Sequence, residues 1–231
     1  MRSGTRRFGM LGSRRFRLWA VPAVALVITF AALAWFSPML SVREVRIEGA
    51  AGAIPEDQVR ELLQIPDRGS ILRIDTAAMA QRVASIPKVR SARVQRVLPS
   101  TVRVRIEPRT PVLYYDTAEG AHLLDADGIE YAIEPAPIGV PKLETEKPGS
   151  ADALTRAAVS VVRVLPPELT AQVDSVHAET VSDISLTLRD GRTVLWGSSE
   201  DGERKSAVVL PLLTRPGSVF DVSSPSLVTV K

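Results

Sequence analysis

The chain has 231 residues, 45 % of them hydrophobic, with 29 basic and 26 acidic side chains and no cysteine. Lack of cysteine excludes disulfides, thiol catalysis and cysteine-held metal sites. The charge looks nearly balanced, but it is unevenly placed. Residues 1–17 hold Arg2, Arg6, Arg7, Arg14, Arg15 and Arg17 and no acid. Removing those six leaves 23 basic against 26 acidic residues, a formal −3. The basic character therefore belongs to the tail, where it suits anionic lipid and membrane orientation. It gives no sign of nucleic-acid binding in the remainder.

Leu18–Phe36 carries no charge for 19 positions, enough at about 1.5 Å per residue to cross a hydrocarbon core of about 30 Å. Trp19 and Trp35 stand at its two ends, where interfacial aromatics belong. The chain after it, with Arg43, Glu44 and Arg46, has no basic excess like that of the tail. The expected arrangement is a basic cytoplasmic tail at 1–17, a transmembrane helix at 18–37 and an extracytoplasmic remainder. A cleavable signal peptide has the same charge order, and Ala32-Leu33-Ala34 offers a small-x-small site. Cutting there leaves Trp35-Phe36 at the new terminus, which weighs against it. Ser13-Arg14-Arg15-Phe16 resembles a twin-arginine signal with its Phe one place early. The alanines of the span suit close helix packing or ordinary lipid contact equally.

Beyond the span, Val42–Ile47 alternates and reads as a strand. Pro55 and Glu56 open a helix to about Leu63, and Asp75 or Thr76 caps a second helix, Ala77–Ile86, stopped by Pro87. Two alternating strands follow around a Leu98-Pro99-Ser100 turn, with Val102, Val104 and Ile106 on one face and Arg103, Arg105 and Glu107 on the other. Strand-helix-helix-strand-strand makes a two-layer unit with both helices on one face of a three-stranded sheet. After Pro108-Arg109-Thr110-Pro111 the pattern is mostly β. Short strands are expected at 113–115, 122–124, 129–132 and 140–143, then a helix at 151–165 ending before Pro166-Pro167. A hairpin, Ile184–Leu188 with Thr193–Trp196, closes across Asp190-Gly191. A helix from about 200 to 214 and two last strands, 218–222 and 227–230, complete the chain.

VREVRIEGA (42–50), the run SILRIDTAAMAQRVASIPKVRSARVQRVLPSTVRVRIEPRTPV (70–112), HLLDADGIEYA (122–132), VPKL (140–143), LTLRDGRTVLWG (186–197) and SVFDVSSPSLVTVK (218–231) occur in the order seen in one family. With the basic tail and span, the chain resembles the bacterial division proteins FtsQ and DivIB. The resemblance implies an α+β fold: a single N-terminal transmembrane helix, a POTRA domain at 40–109 (β-α-α-β-β) and a mostly antiparallel β domain at 110–231 with flanking helices. It implies a non-catalytic scaffold at the division septum, without cofactor, metal or nucleic acid. Such a scaffold binds FtsB and FtsL, acts through them on the septal peptidoglycan synthase FtsW–FtsI, and meets other division proteins through its POTRA domain and span. Carried over from the family, the FtsB-binding edge is Val219, Phe220, Asp221 and Val222, then Leu227, Val228, Thr229 and Val230. A terminal strand with few charges fits that role, because its unpaired N–H and C=O groups can template another chain.

Arg90, Arg93, Arg96, Arg103 and Arg105 form a second candidate surface, expected on the exposed faces of two paired strands. They fit acidic partners or lipid, but also a merely solvated, edge-protecting face. His122 and His177, in strand-like segments, lack the companions that catalysis needs. Asp125, Asp127 and Gly128 read as a turn and fall short of a calcium loop. Glu107, Glu134, Glu144 and Glu146 are expected on loops beside prolines, without the arrangement a wall hydrolase requires. A POTRA-bearing export or assembly factor remains an alternative, although no tandem unit or barrel pattern supports it.

Overall fold

The computed structural model describes residues 22, 26, 40–50, 52, 54–66 and 70–231. The expected tail at 1–17 and, but for two isolated positions, the expected span at 18–37 lie outside them. Among the described residues no helix is long and apolar enough to cross a membrane. The chain forms two compact units, the first through Ile86 with 91–107, the second 87–90 with 108–231.

In the first unit, strand β1 (Glu44–Glu48) leads to helices α1 (Glu56–Leu63) and α2 (Thr76–Ala84), then to strands β2 (Val89–Val97) and β3 (Thr101–Pro108). The sheet order is β1-β3-β2, with β1 parallel to β3 and Val45 opposite Val102. Pro55 precedes α1, whose first turn carries Glu56 and Asp57 facing the positive helix end. Val59 and Leu63, four apart, turn inward together. Gln64 ends the helix in the left-handed region, and Arg82 of α2 donates to the carbonyls of Leu62 and Leu63 at 2.7 and 2.9 Å. One side chain thus caps α1 and ties it to α2. Asp75 caps α2 by accepting from the N–H groups of Ala77 and Ala78. Met79 and Val83 of α2 are buried, as are Val102, Val104 and Ile106 of β3. Gly49 follows β1 at φ +89°, where a β-carbon would stand 2.1 Å from the Ile106 carbonyl oxygen.

The second unit is one sheet of nine strands: β4 (Leu113–Thr117), β5 (Gly120–Leu124), β6 (Glu130–Glu134), β7 (Lys142–Glu144), β8 (Val173–Thr180), β9 (Asp183–Leu188), β10 (Thr193–Leu195), β11 (Val219–Asp221) and β12 (Thr229–Val230). Their order is β12-β11-β10-β9-β8-β7-β4-β5-β6. Five neighbouring pairs are antiparallel, while β4–β7, β7–β8 and β10–β11 are parallel. Parallel neighbours need crossovers. Helix α3 (Ala153–Val164) and the short α4 (Pro167–Thr170) lie between β7 and β8, and helix α5 (Gly202–Leu213) between β10 and β11. Ala158, Val159 and Val162 of α3 and Val209 and Leu212 of α5 cover a core of Leu186, Val194, Trp196 and Phe220. Gly202 lets the helices approach, since a β-carbon there would lie 2.7 Å from Val164.

Two expectations change. Glu134 and Glu144 lie in strands β6 and β7, not loops; Pro135 ends β6 rather than excluding it. Strand β8 extends the strand-like segment around His177, and the short helix α4 before it has no expected counterpart. Register shifts at Val173/Ser175 and Ala178/Thr180 break the alternation that would have marked β8.

Candidate functional site

A sheet of nine strands has two edges, here β12 and β6. The chain enters β11 through Pro216-Gly217. A β-carbon on Gly217 would stand 2.3 Å from Val230 and 3.0 Å from the Lys231 carbonyl oxygen, so glycine lets this turn lie against β12. β11 runs parallel to β10, with Val194 opposite Phe220. Phe220 and Val222 are fully buried. Arg192 lies over the Phe220 ring, 5.5 Å from its centre, while donating to the Leu213 carbonyl and pairing with Asp190. Asp221 accepts from the Ser223 N–H and hydroxyl, which starts the turn toward β12.

β12 pairs antiparallel with β11, Phe220 facing Val230 and Asp221 facing Thr229. Lys231 and Val219 exchange both backbone bonds, at 2.9 and 3.0 Å. The next position, Val230, is therefore a non-hydrogen-bonded one, with its N–H and C=O directed away from β11. The Val228 and Val230 side chains pack against the core cluster, while Leu227, 75 % exposed, and Thr229 face water. One strand thus shows a neighbour its backbone and returns its apolar side chains to the core.

Of the eight residues expected at the edge, the structure divides the set. β11 is flanked by β10 and β12, so the backbone of Val219, Phe220 and Asp221 is not an edge, and Phe220 and Val222 are sealed inside. Of the set, Thr229 and Val230 belong to the edge strand β12, and Leu227 and Val228 lead into it.

β6 is a different edge. Glu130 and Glu134 stand at its ends, and Glu134 pairs with Lys88. Glu130 accepts from the Tyr115 hydroxyl at 2.6 Å and meets His122 Nδ1 at 2.7 Å, while His122 Nε2 lies 2.9 Å from the Thr117 hydroxyl. The Tyr115 and His122 rings stack 4.9 Å apart. Burial pushes the Glu130 carboxyl up, but the Tyr115 and His122 hydrogen bonds outweigh it and hold the group below the ordinary glutamate range. Burial, reinforced by Glu130, pushes the Tyr115 phenol well above its ordinary value. Charge and a register shift at Leu123/Leu124 blunt this edge in ways that protect natural sheets.

The five arginines do not form one surface. Arg103 and Arg105 on β3 both reach Glu48 of β1, at 3.2 and 3.0 Å, beside an Arg46–Glu44 pair. That face is a ladder of alternating sign. Buried Val89 and Val94 are an odd number of residues apart, so the alternation of β2 slips between them. Arg96 then shares the face of Val94 and donates to the Ile74 carbonyl at 2.6 Å. Arg90, which with residues 87–89 belongs to the second unit, pairs there with Asp127, and Arg93 is exposed. Asp125 is buried against Arg109, and its carboxylate accepts from the Asp127 and Ile129 N–H groups, which makes the turn. Among the described residues no group of three or more His, Asp or Glu side chains could hold a metal ion.

Lys205 of α5 escaped the sequence reading as a buried charge. It is 2 % exposed and donates to the Ser198 carbonyl at 2.9 Å. Burial pushes its ammonium down, against the pull of Asp201 and Glu200.

The family model described as "POTRA domain, FtsQ-type" matches residues 40–109. The one described as "Cell division protein FtsQ/DivIB, C-terminal" matches residues 113–222. A protein named "Cell division protein FtsQ" from Mycolicibacterium smegmatis is 42 % identical over 214 residues, covering 93 % of this chain and 64 % of its own length. One of the same name from Mycobacteroides abscessus is 43 % identical over 227 residues, covering 95 % of this chain and 73 % of its own length. One from Corynebacterium glutamicum is 33 % identical over 210 residues, covering 90 % of this chain and 94 % of its own. The chain thus spans less than two thirds of the length of the first of these relatives.

Proposed function

The chain belongs to the FtsQ/DivIB family of bacterial cell division proteins, and from that premise we propose that it is a non-catalytic scaffold held in the cell membrane by residues 18–37. Its tail is cytoplasmic and both folded units lie outside the membrane, at the division septum. It holds FtsB, and FtsL with it, and through them influences septal peptidoglycan synthesis by FtsW–FtsI. The observation that carries this reading is the free side of β12, where Val230 presents backbone groups that an extended partner strand can pair with. Main-chain bonds supply affinity there, and the exposed Leu227 and Thr229 supply selectivity. The charge-blunted β6 edge offers no comparable template.

Val230→Pro tests the site in the full chain. It deletes an outward-facing N–H while leaving the bonds between Lys231 and Val219 in place. The expected result is about tenfold weaker binding of the extracytoplasmic segment of FtsB, near 1.4 kcal/mol, with thermal unfolding little changed. Unaltered affinity would remove β12 from the site. Absence of any binding by the folded wild type would remove FtsB as the partner.

A further inference from the structure

We propose that the turn between β2 and β3 is a second membrane contact, in which Leu98 seats in the interface of an anionic bilayer beside Arg43. The proposal rests on the anchoring role given above to residues 18–37.

A single exposed leucine is ordinary on a protein surface; what matters is where this one stands. Leu98 is 62 % exposed at the tip of the turn, with Pro99 exposed beside it. The Ser100 carbonyl accepts from the N–H groups of Arg43 and Glu44, at 2.9 and 3.3 Å. β1 then runs parallel to β3, with Glu44 opposite Thr101, so the turn lies at the end of the unit where β1 begins. That is the end from which the chain leads back toward the span. The Leu40 carbonyl accepts from the Ile71 N–H at 2.7 Å and Ser41 bridges to Ser70, so the unit is already in place at residue 40. From 37 to 40 the chain can cover at most about 11 Å. The polar layer beyond the hydrocarbon core is roughly 5–8 Å deep on each side. The Leu98 turn is bonded three residues farther on, so a tether this short allows it to meet the headgroups.

The charges around the turn agree with that partner. Arg43 is exposed, and among the described residues it has no ion-pair partner. Arg96 adds a cation anchored on the Ile74 carbonyl, and Glu44 is neutralised by Arg46. An apolar tip flanked by cations suits an anionic lipid surface, where each basic side chain adds to binding.

The test uses the full chain in vesicles. With no native cysteine, single cysteines at Leu98, at Val27 in the span and at Leu227 in the second unit can each carry an environment-sensitive fluorophore. Quenchers are placed on lipid headgroups or deep in the acyl chains. In phosphatidylglycerol–phosphatidylethanolamine vesicles the Leu98 label should be quenched from the headgroups several times more than the Leu227 label. Arg43→Glu, or a change to phosphatidylcholine alone, should lower that difference. Equal quenching at Leu98 and Leu227, with the Val27 label quenched from the acyl chains, would overturn the second contact and leave the anchor standing. Failure to quench Val27 would overturn the anchor, and the proposal with it.

Discussion

Gly49 sits where the chain leaves β1 with a positive φ and no room beside the Ile106 carbonyl. Gly49→Ala combines strain with a backbone clash, and should cost more than about 2 kcal/mol in denaturant unfolding of the full chain. Lys205 illustrates the reverse, a charge held at a loss. Its folded-state pKa is lowered, so the unfolded chain binds more protons below the ordinary lysine value, and stability gains as pH rises toward that value. Lys205→Met should therefore equal or exceed the wild type in melting temperature at pH 7, and wild type should gain on it toward pH 10. A wild type that loses ground with rising pH would contradict the assignment. Glu130 has the opposite sign. Its folded pKa is depressed, so its contribution is present above the ordinary glutamate value and lost as pH falls through the folded one. Glu130→Gln should flatten the acid limb of a stability profile taken from about pH 6 to 3. At the alkaline end, the raised Tyr115 pKa withdraws stability as pH climbs past the ordinary tyrosine value.

At the scale of elements, α1 and α2 depend on one shared cap. Arg82→Ala frees the carbonyls of Leu62 and Leu63, and should destabilise the first unit by about 1–3 kcal/mol. The check is amide exchange, faster across 56–66 than across β8. The elements that sequence disclosed were those with clean periodicity or a strong cap: α2 behind Asp75, the alternating β3, and the β9–β10 hairpin across Asp190-Gly191. The bounds of β8 around His177 were obscured because two register shifts put Ser175 and Val176 both inside. The placement of β11 was hidden for another reason. Strand propensity says nothing about neighbours, and the α5 crossover sets β11 parallel to β10 and inside the sheet. The phase slip in β2, which turns Arg96 toward the Ile74 carbonyl, likewise depends on pairing that alternation alone does not reveal.

Over the whole molecule, the second unit ends in two unlike edges, and the proposed function turns on that difference. β6 carries its charges into ion pairs and a half-buried Tyr115–Glu130–His122 network. β12 keeps its valines on the core and leaves backbone groups on its open side. The measurement that bears most directly on the scaffold reading is amide exchange of the full chain, with and without the extracytoplasmic segment of FtsB. Strand addition predicts slower exchange in the peptide covering 226–231, centred on Val230, and no change across 129–135. Binding without added protection at 226–231 would contradict the account, and protection of β6 in its place would move the partner to the opposite edge.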